Sequence, residues 1–487
     1  MIPGRSALQR YFLNMNRFIK TSILFLTMSF SLSACQKAEN VSFEKQMTID
    51  ASNLGIDGVS NIGPLNFKFN LEDFTKVEDE PNNEKAKIGL LFDATICSYS
   101  RVKIDEEGYK TDIFTGYERF YNFFQLQDLE DYLIEQSADK YDCSRIQMGH
   151  HKVKVDGKKY DIVFCTILDS SNIESWASNF DMGYDDDSYY SKTGSHNEWT
   201  DKENHKGFDV TANRCVEKIE SYISGKKHGK TQQILYIFGH SRGGAVANLS
   251  AKKLIDKGHN VVAYTAASPL TTTASNYNDA KYNHIFNYVN DVDAITILPS
   301  SSWGFKRFGK DVHFDVRNCV ESFKQCTGED LPEFKDISNI TNLLSGLCAS
   351  RADAYVFDER FTVATSKALD DQTAVDKYIN DQKNKFSGSF KPLQSFLRFD
   401  VSTNESNKYI VKVVSCPALM SHLLGLAVAT YGMTSSITTI AVQYYSIISV
   451  YAEQVGIDNP LTLRDNFDTK SIAYAHFYHS YIAYLFA

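Results

Sequence analysis

The stretch ILYIFGHSRGGAVANLSAKKL, from Ile234 to Leu254, constrains the fold more than any other part of the chain. Ile234 to Phe238 form a continuous apolar, β-branched and aromatic run, which is the pattern of a strand buried on both faces. Ala245, Val246, Leu249 and Leu254 then fall at helical spacing, the lysines come late, and Gly258 stands where a helix cap is expected. A strand of this kind needs covering layers above and below it. The surrounding segments agree: AKIGLLFDATICSYS from Ala86 reads as a helix, and HHKVKVDGKKYDIVFCTI as a hairpin about Asp156 and Gly157. VTANRCVEKIESYISG reads as another helix, and NVVAYTA and NHIFNYVN as two further strands. Strands alternating with helices predict an α/β fold with a mostly parallel central sheet and helices on both faces.

A chain of 487 residues can bury a large core, as one large domain or two. Its net charge of −9, without a basic patch, argues against nucleic acid as a partner. The 28 tyrosines and 32 phenylalanines suit an apolar ligand but equally a plain aromatic core. No repeat or low-complexity tract is visible. Residues 35–85 are polar, with the acidic run VEDEPNNE, and predict a tether and a peripheral segment ahead of a core over residues 86–310.

The N-terminal region is informative in another way. MNRFIKTSILFLTMSFSLSAC carries Arg17 and Lys20, then an uncharged apolar stretch, and ends at Cys35. Charge and length make residues 15–34 a secretory signal, too short for an ordinary spanning helix, with residues 1–14 an upstream extension. The LSAC ending resembles the bacterial lipobox, whose cysteine is lipidated. Cys35 is then the lipid attachment point, and the protein an exported, membrane-anchored lipoprotein of the bacterial cell envelope. A plain signal or anchor with an incidental cysteine is the alternative. An exported chain can form disulfides, yet spacing does not choose among the pairings of the remaining cysteines. Cys165, inside the apolar run DIVFCTI, reads as a buried thiol, and no cysteine pair has metal-ligand company.

Ser241 sits between Gly239 and Gly243 at the junction of the predicted strand and helix. A sharp strand-to-helix turn forces such a serine into a strained conformation with its Oγ exposed, which makes it a candidate nucleophile rather than only a turn residue.

With these elements in place the sequence resembles the class 3 lipases, the α/β-hydrolase family that includes the fungal triacylglycerol lipases. The likeness runs from about Ala86 to Gly309 and returns at the C-terminus. NHKGF, Asn204 to Phe208, matches the family's His-Lys-Gly-Phe, and GHSRGGA matches its Gly-His-Ser-Leu-Gly-Gly-Ala with Arg242 in place of leucine. The resemblance implies a Ser-Asp-His triad in that chain order. Asp291 and Asp293 both follow the strand NHIFNYVN, and the family's spacing to Leu-Pro, here Leu298-Pro299, selects Asp293. Downstream stand His313, His422, His476 and His479; the family's terminal Ala-His followed by tyrosine matches His476 and Tyr481, with His479 the nearest competitor. The oxyanion hole implied by the family uses the backbone N–H of Arg242 and of Ser170, the latter placed by Trp176 six residues further on. Ile167, Leu168 and Asp169 stand where the family has Phe-Arg-Gly. Arg242 and Asp169 both flank that hole, so their side chains are expected either to pair with each other or to point to solvent.

The implied activity is hydrolysis of acyl esters of lipids by a carboxylic ester hydrolase that needs no cofactor and no metal, with an acyl ester or lipid as substrate and the membrane as partner. The alternatives are a non-catalytic ligand-binding lipoprotein on the same fold, or phospholipase A1-type specificity. Residues 311–470 separate acid and histidine and predict an insertion forming a cap, with residues 471–487 a terminal helix carrying the base. Within the insertion, Val413 to Ala452 lack Asp, Glu, Lys and Arg, but Ser, Thr, Gln and Gly interrupt them, which favours buried helices or a lipid-contacting lid over a membrane span.

Overall fold

The computed structural model describes residues 40–50, 59–99, 102–104, 110–112, 124–137, 140–170, 179, 201, 203–225, 231–299, 301, 304–334, 363–384, 397–415 and 474–487. Strands β1 (Ser42–Ile49) and β2 (Ile62–Asn70) pair antiparallel and are followed by helix α1 (Asn83–Tyr99) and the short pair β3 (Val102–Ile104) and β4 (Lys110–Asp112). The central sheet is built from β5 (Gln127–Ser137), β6 (Lys140–Val155), β7 (Lys158–Ile167), β8 (Gln232–His240), β9 (Val261–Ala266), β10 (Ile285–Asn290) and β11 (Lys310–Phe314). They lie side by side in chain order, with β5 and β11 at the edges. β7 through β11 run parallel, while β5 pairs antiparallel with β6 and β6 with β7. At the β6–β7 turn Asp156 and Gly157 have φ of 49° and 79°, the left-handed pair that a two-residue hairpin turn requires.

The strands alternate between two cores. Val163, Cys165, Ile167, Leu235, Ile237, Val261 and Ala263 enter one, while Ile162, Phe164, Tyr236, Phe238, Val262 and Tyr264 enter the other. Helices α2 (Lys206–Ser224) and α3 (Ser241–Asp256) cover the first face with Phe208, Ile219, Val246 and Leu249. Helix α1 and the terminal helix α6 (Tyr478–Leu485) cover the second with Leu91, Phe92, Tyr481 and Ile482. On that face Phe164, Phe238, Tyr264 and Phe286 run across four strands with ring centroids 6.2, 6.4 and 5.3 Å apart. Much of the aromatic surplus is therefore packing, at about 1.5–3 kcal/mol for each fully buried large side chain.

The segment expected to be tether and periphery needs correction. Ile62, Leu65, Phe67, Phe69, Leu71 and Phe74 are buried in the second core, and the Leu71 N–H donates to the Val41 carbonyl over 2.9 Å. Its period-two pattern, apolar at 65, 67 and 69, is a strand signal that the polar average of residues 35–85 conceals. The core also runs past residue 310. β11 is the fifth parallel strand, and Phe314, Val316 and Phe323 are buried with it. Phe323 lies on helix α4 (Val320–Thr327), where its ring meets Tyr474 edge-on at 5.3 Å. From the rest of the expected cap, β12 (Val363–Leu369), β13 (Leu397–Thr403) and β14 (Tyr409–Ser415) form an antiparallel sheet with β14 central, and helix α5 (Gln372–Asn384) follows β12. Among the described residues no helix is long and apolar enough to cross a membrane. Cys35, residues 1–34 and all of Val413–Ala452 beyond Ser415 lie outside them. Cys165, Cys319 and Cys326 are free thiols. Cys165 is fully buried, and burial pushes its thiol well above the usual range.

Candidate active site

The junction of β8 and α3 is tight. Ser241 opens the helix with φ of 54°, a left-handed conformation that costs a residue with a side chain about 1–2 kcal/mol. The glycines beside it are required by space: a Cβ on Gly239 would lie 2.3 Å from the Gly243 carbonyl oxygen, and one on Gly243 would lie 2.2 Å from that of Ile167. The end of β7 is thereby pressed against the first turn of α3. Ser241 is left partly exposed at the C-terminal edge of the sheet, while Arg242 to Ala251 behind it are buried.

Two further side chains reach it. Asp293 follows β10 and is 1 % exposed; His476 lies just before α6 and is 4 % exposed. His476 Nδ1 stands 2.9 and 3.1 Å from the two Asp293 carboxylate oxygens, and its Nε2 stands 2.9 Å from Ser241 Oγ. An ionised carboxylate only accepts, so Nδ1 carries the proton and Nε2 offers its lone pair to the serine hydroxyl. Asp293 is itself held. Its Oδ1 accepts from the Ile295 N–H over 2.9 Å and its Oδ2 from the Tyr481 hydroxyl over 2.8 Å. Burial and the Asp293 charge raise the Tyr481 pKa well above the ordinary phenol value, which keeps it a donor. Chemically this arrangement can withdraw a proton from Ser241 Oγ as it attacks and stabilise the imidazolium that forms.

Residues 165–303 match the class 3 lipase family. Among solved structures the chain is similar to a Rhizomucor miehei triacylglyceride lipase, at 19% identity over 40% of this chain and 69% of that one, with a TM-score of 0.27. It is similar to a deletion mutant of the Rhizomucor miehei lipase propeptide complex at 21% identity over 39% of this chain, with a TM-score of 0.25, and spans 56% of that chain's length. Nonglycosylated Yarrowia lipolytica LIP2 lipase is 15% identical over 48% of this chain and 78% of its own, with a TM-score of 0.29. No curated protein matches the chain.

His476 comes from the far end of the chain, and its backbone is fixed by three side chains from three places. The carbonyl of Tyr474 accepts from Ser480 Oγ, that of Ala475 from Asn290 Nδ2 over 2.9 Å, and that of His476 from His240 Nε2 over 2.8 Å. Asn290, at the end of β10, also accepts from the Val316 N–H over 3.3 Å. The sequence assigns a role to neither Asn290 nor His240: Asn290 has no signal beyond its position at the end of the acid-bearing strand, whereas His240 belongs to the matched GHSRGGA stretch directly before the serine. The landmark NHKGF is structural: His205 stacks on Phe208 at 3.9 Å, and Asn204 donates to Asp209 over 2.6 Å.

The competing residues point elsewhere. Asp291 bonds the exposed His313 over 2.8 Å. His422 and Trp176 lie outside the described residues. His479 is fully buried, and its Nε2–H donates to the Ser60 carbonyl over 2.8 Å. Burial pushes its pKa down to about 4, with the Ser60 bond opposing. Above about pH 6.5 the ring is neutral folded and unfolded; as pH falls from there to about 4, only the unfolded chain takes up the proton. We therefore expect acidification across this window to remove about 3 kcal/mol of stability. Urea midpoints for His479→Gln should fall less between pH 7 and pH 4 than those of the wild type; equal falls would contradict the assignment.

The expected oxyanion donors are Arg242 and Ser170. The Arg242 N–H belongs to the first turn of α3, where backbone donors lack helical partners. Ser170 follows the end of β7, and its Oγ accepts from Asn179 Nδ2 over 3.1 Å. The two expectations for the Arg242 side chain are both corrected. It is 1 % exposed, with one guanidinium nitrogen on Ser144 Oγ of β6 and another 2.9 Å from Thr211 Oγ1 of α2. Asp169 instead faces His240, its Oδ2 3.6 Å from Nδ1. The physical reason is direction: a side chain at the second position of α3 points back under the helix, into the layer between β6 and α2, and away from the strand end.

Proposed function

We propose that the chain is a serine ester hydrolase of the lipase type, cleaving acyl esters of lipids. The observation that carries this reading is the 2.9 Å approach of His476 Nε2 to Ser241 Oγ, with Asp293 on the opposite ring nitrogen. Ser241 Oγ attacks the ester carbonyl while His476 takes its proton. The oxyanion forms beside the N–H groups of Arg242 and Ser170. His476 then protonates the departing alcohol, leaving an acyl group on Ser241, and water, deprotonated by His476, attacks it and releases the acid. Asp293 keeps Nδ1 protonated throughout and balances the imidazolium charge.

The test is labelling with a fluorophosphonate, which reacts only with an activated serine. Wild-type protein should label at Ser241 and hydrolyse short p-nitrophenyl esters; an unlabelled Ser241 would leave a binding protein on the same fold. A phospholipid, cut at its first acyl position or not, separates phospholipase A1-type specificity from triacylglycerol cleavage. We further propose that the protein is exported and anchored through a lipidated Cys35, on the strength of the charge and apolar pattern of residues 15–35. Retention of Cys35→Ala protein in the membrane fraction would overturn the anchor.

A further inference from the structure

We propose that Asp169 and His240 form a second carboxylate–imidazole pair, in which Asp169 is a positioning residue that holds the strand end bearing Ser170 against the nucleophile elbow. This rests on the hydrolase reading above. His240 is the residue before Ser241 and is fully buried. Its Nε2 lies 2.8 Å from the His476 carbonyl, and a carbonyl only accepts, so Nε2 carries a hydrogen. In the neutral ring Nδ1 is therefore a lone pair, and it has no hydrogen-bond partner within 3.5 Å. What it faces is Asp169 Oδ2, at 3.6 Å. The ring cannot turn to a better partner. It stacks on Tyr478 at 4.3 Å, meets Tyr481 edge-on at 5.9 Å and lies 5.2 Å from the His476 ring.

A bare lone pair opposite a carboxylate is repulsive, so the contact is favourable only when a hydrogen stands between the two atoms. Once there, it ties His240, and through it the His476 carbonyl, to the residue directly before Ser170. One link then spans three parts of the site: the elbow, the base-bearing segment and the second oxyanion donor. The groups facing His240 are Asp169 after β7, His476 in the terminal segment, and Tyr478 and Tyr481 on α6. Behind the two phenols stand Asp93 of α1, 3.3 Å from the Tyr478 hydroxyl, and Asp293. Burial lowers the pKa of His240, and Asp169 opposes that shift. The hydrogen is thus gained toward acid pH, and the link tightens in the same direction.

The decisive comparison is Asp169→Ala with Asp169→Asn. An asparagine amide can donate to Nδ1 and so keeps the link without the charge, whereas alanine removes it. With a p-nitrophenyl ester on the acid side of the imidazole range, at about pH 5.5, Asp169→Ala is expected to lower kcat about tenfold or more with KM within about threefold and Asp169→Asn to restore most of that loss, while toward about pH 8, where the link is lost, the Asp169→Ala deficit should shrink. Selectively labelled histidine followed by NMR gives a readout that needs no activity. The His240 ring should titrate about one unit higher in the wild type than in Asp169→Asn, because the carboxylate favours its cation. Equal kcat losses in the two variants, or an unmoved His240 titration, would overturn the proposal. A wild-type protein inactive on every ester would instead refute the hydrolase reading, and the NMR titration would still decide whether the pair exists.

Discussion

Ser241→Ala is expected to lower kcat for a short p-nitrophenyl ester by about 10,000-fold or more while leaving the urea midpoint almost unchanged. Without its Oγ there is no acyl-enzyme step, and the oxyanion donors and binding surface supply only the residual rate. His476→Ala should fall to a similar level, and the double variant should be no worse than either single one, because nucleophile and base act as one unit. His479→Ala separates catalysis from folding. Its ring donates to Ser60 rather than to Ser241, so its kcat should stay within about tenfold of wild type while its stability falls. A Ser241→Ala rate above about a hundredth of wild type would locate the nucleophile elsewhere.

The second large effect is expected at Asp293. Asp293→Asn keeps the shape of the acid but places an amide N–H where one carboxylate oxygen stands. The Tyr481 hydroxyl, the Ile295 N–H and His476 Nδ1–H all donate to that carboxylate, so a fourth donor inside the cluster leaves one of them unmatched. The cheapest relief is for His476 to move its hydrogen to Nε2. The lone pair that serves Ser241 is then gone, and kcat should drop by about 10,000-fold with little change in KM. A loss below about tenfold would mean that Asp293 neither orients nor charges the base.

Where sequence and structure agree, the information is local. The run Ile234 to Phe238, the glycines about Ser241 and the helical spacing after it dictate a strand, an elbow and a helix through short-range sterics and burial, wherever the rest of the chain goes. Family-like spacings nominated Asp293 and His476, and the fold brings these side chains and Ser241 within hydrogen-bonding distance although 183 positions separate acid from histidine. Averaging over a segment hid other information: residues 35–85 are polar in sum, yet alternate strongly enough to supply β2 and part of the core.

Tertiary structure alone decided which polar groups meet. Arg242 and Asp169 look like partners in the sequence because they are the two departures from the family pattern. In the fold the guanidinium is carried under α3 to Ser144 and Thr211, and the carboxylate is left facing His240. The three donors that fix the carbonyls of Tyr474, Ala475 and His476 come from α6, β10 and β8, and no pattern along the chain encodes their convergence. Hydrophobic periodicity specifies which face of an element is buried. A buried hydrogen bond depends on where two faces come to rest against each other, to within a few tenths of an ångström, and only the assembled sheet and its helices set that.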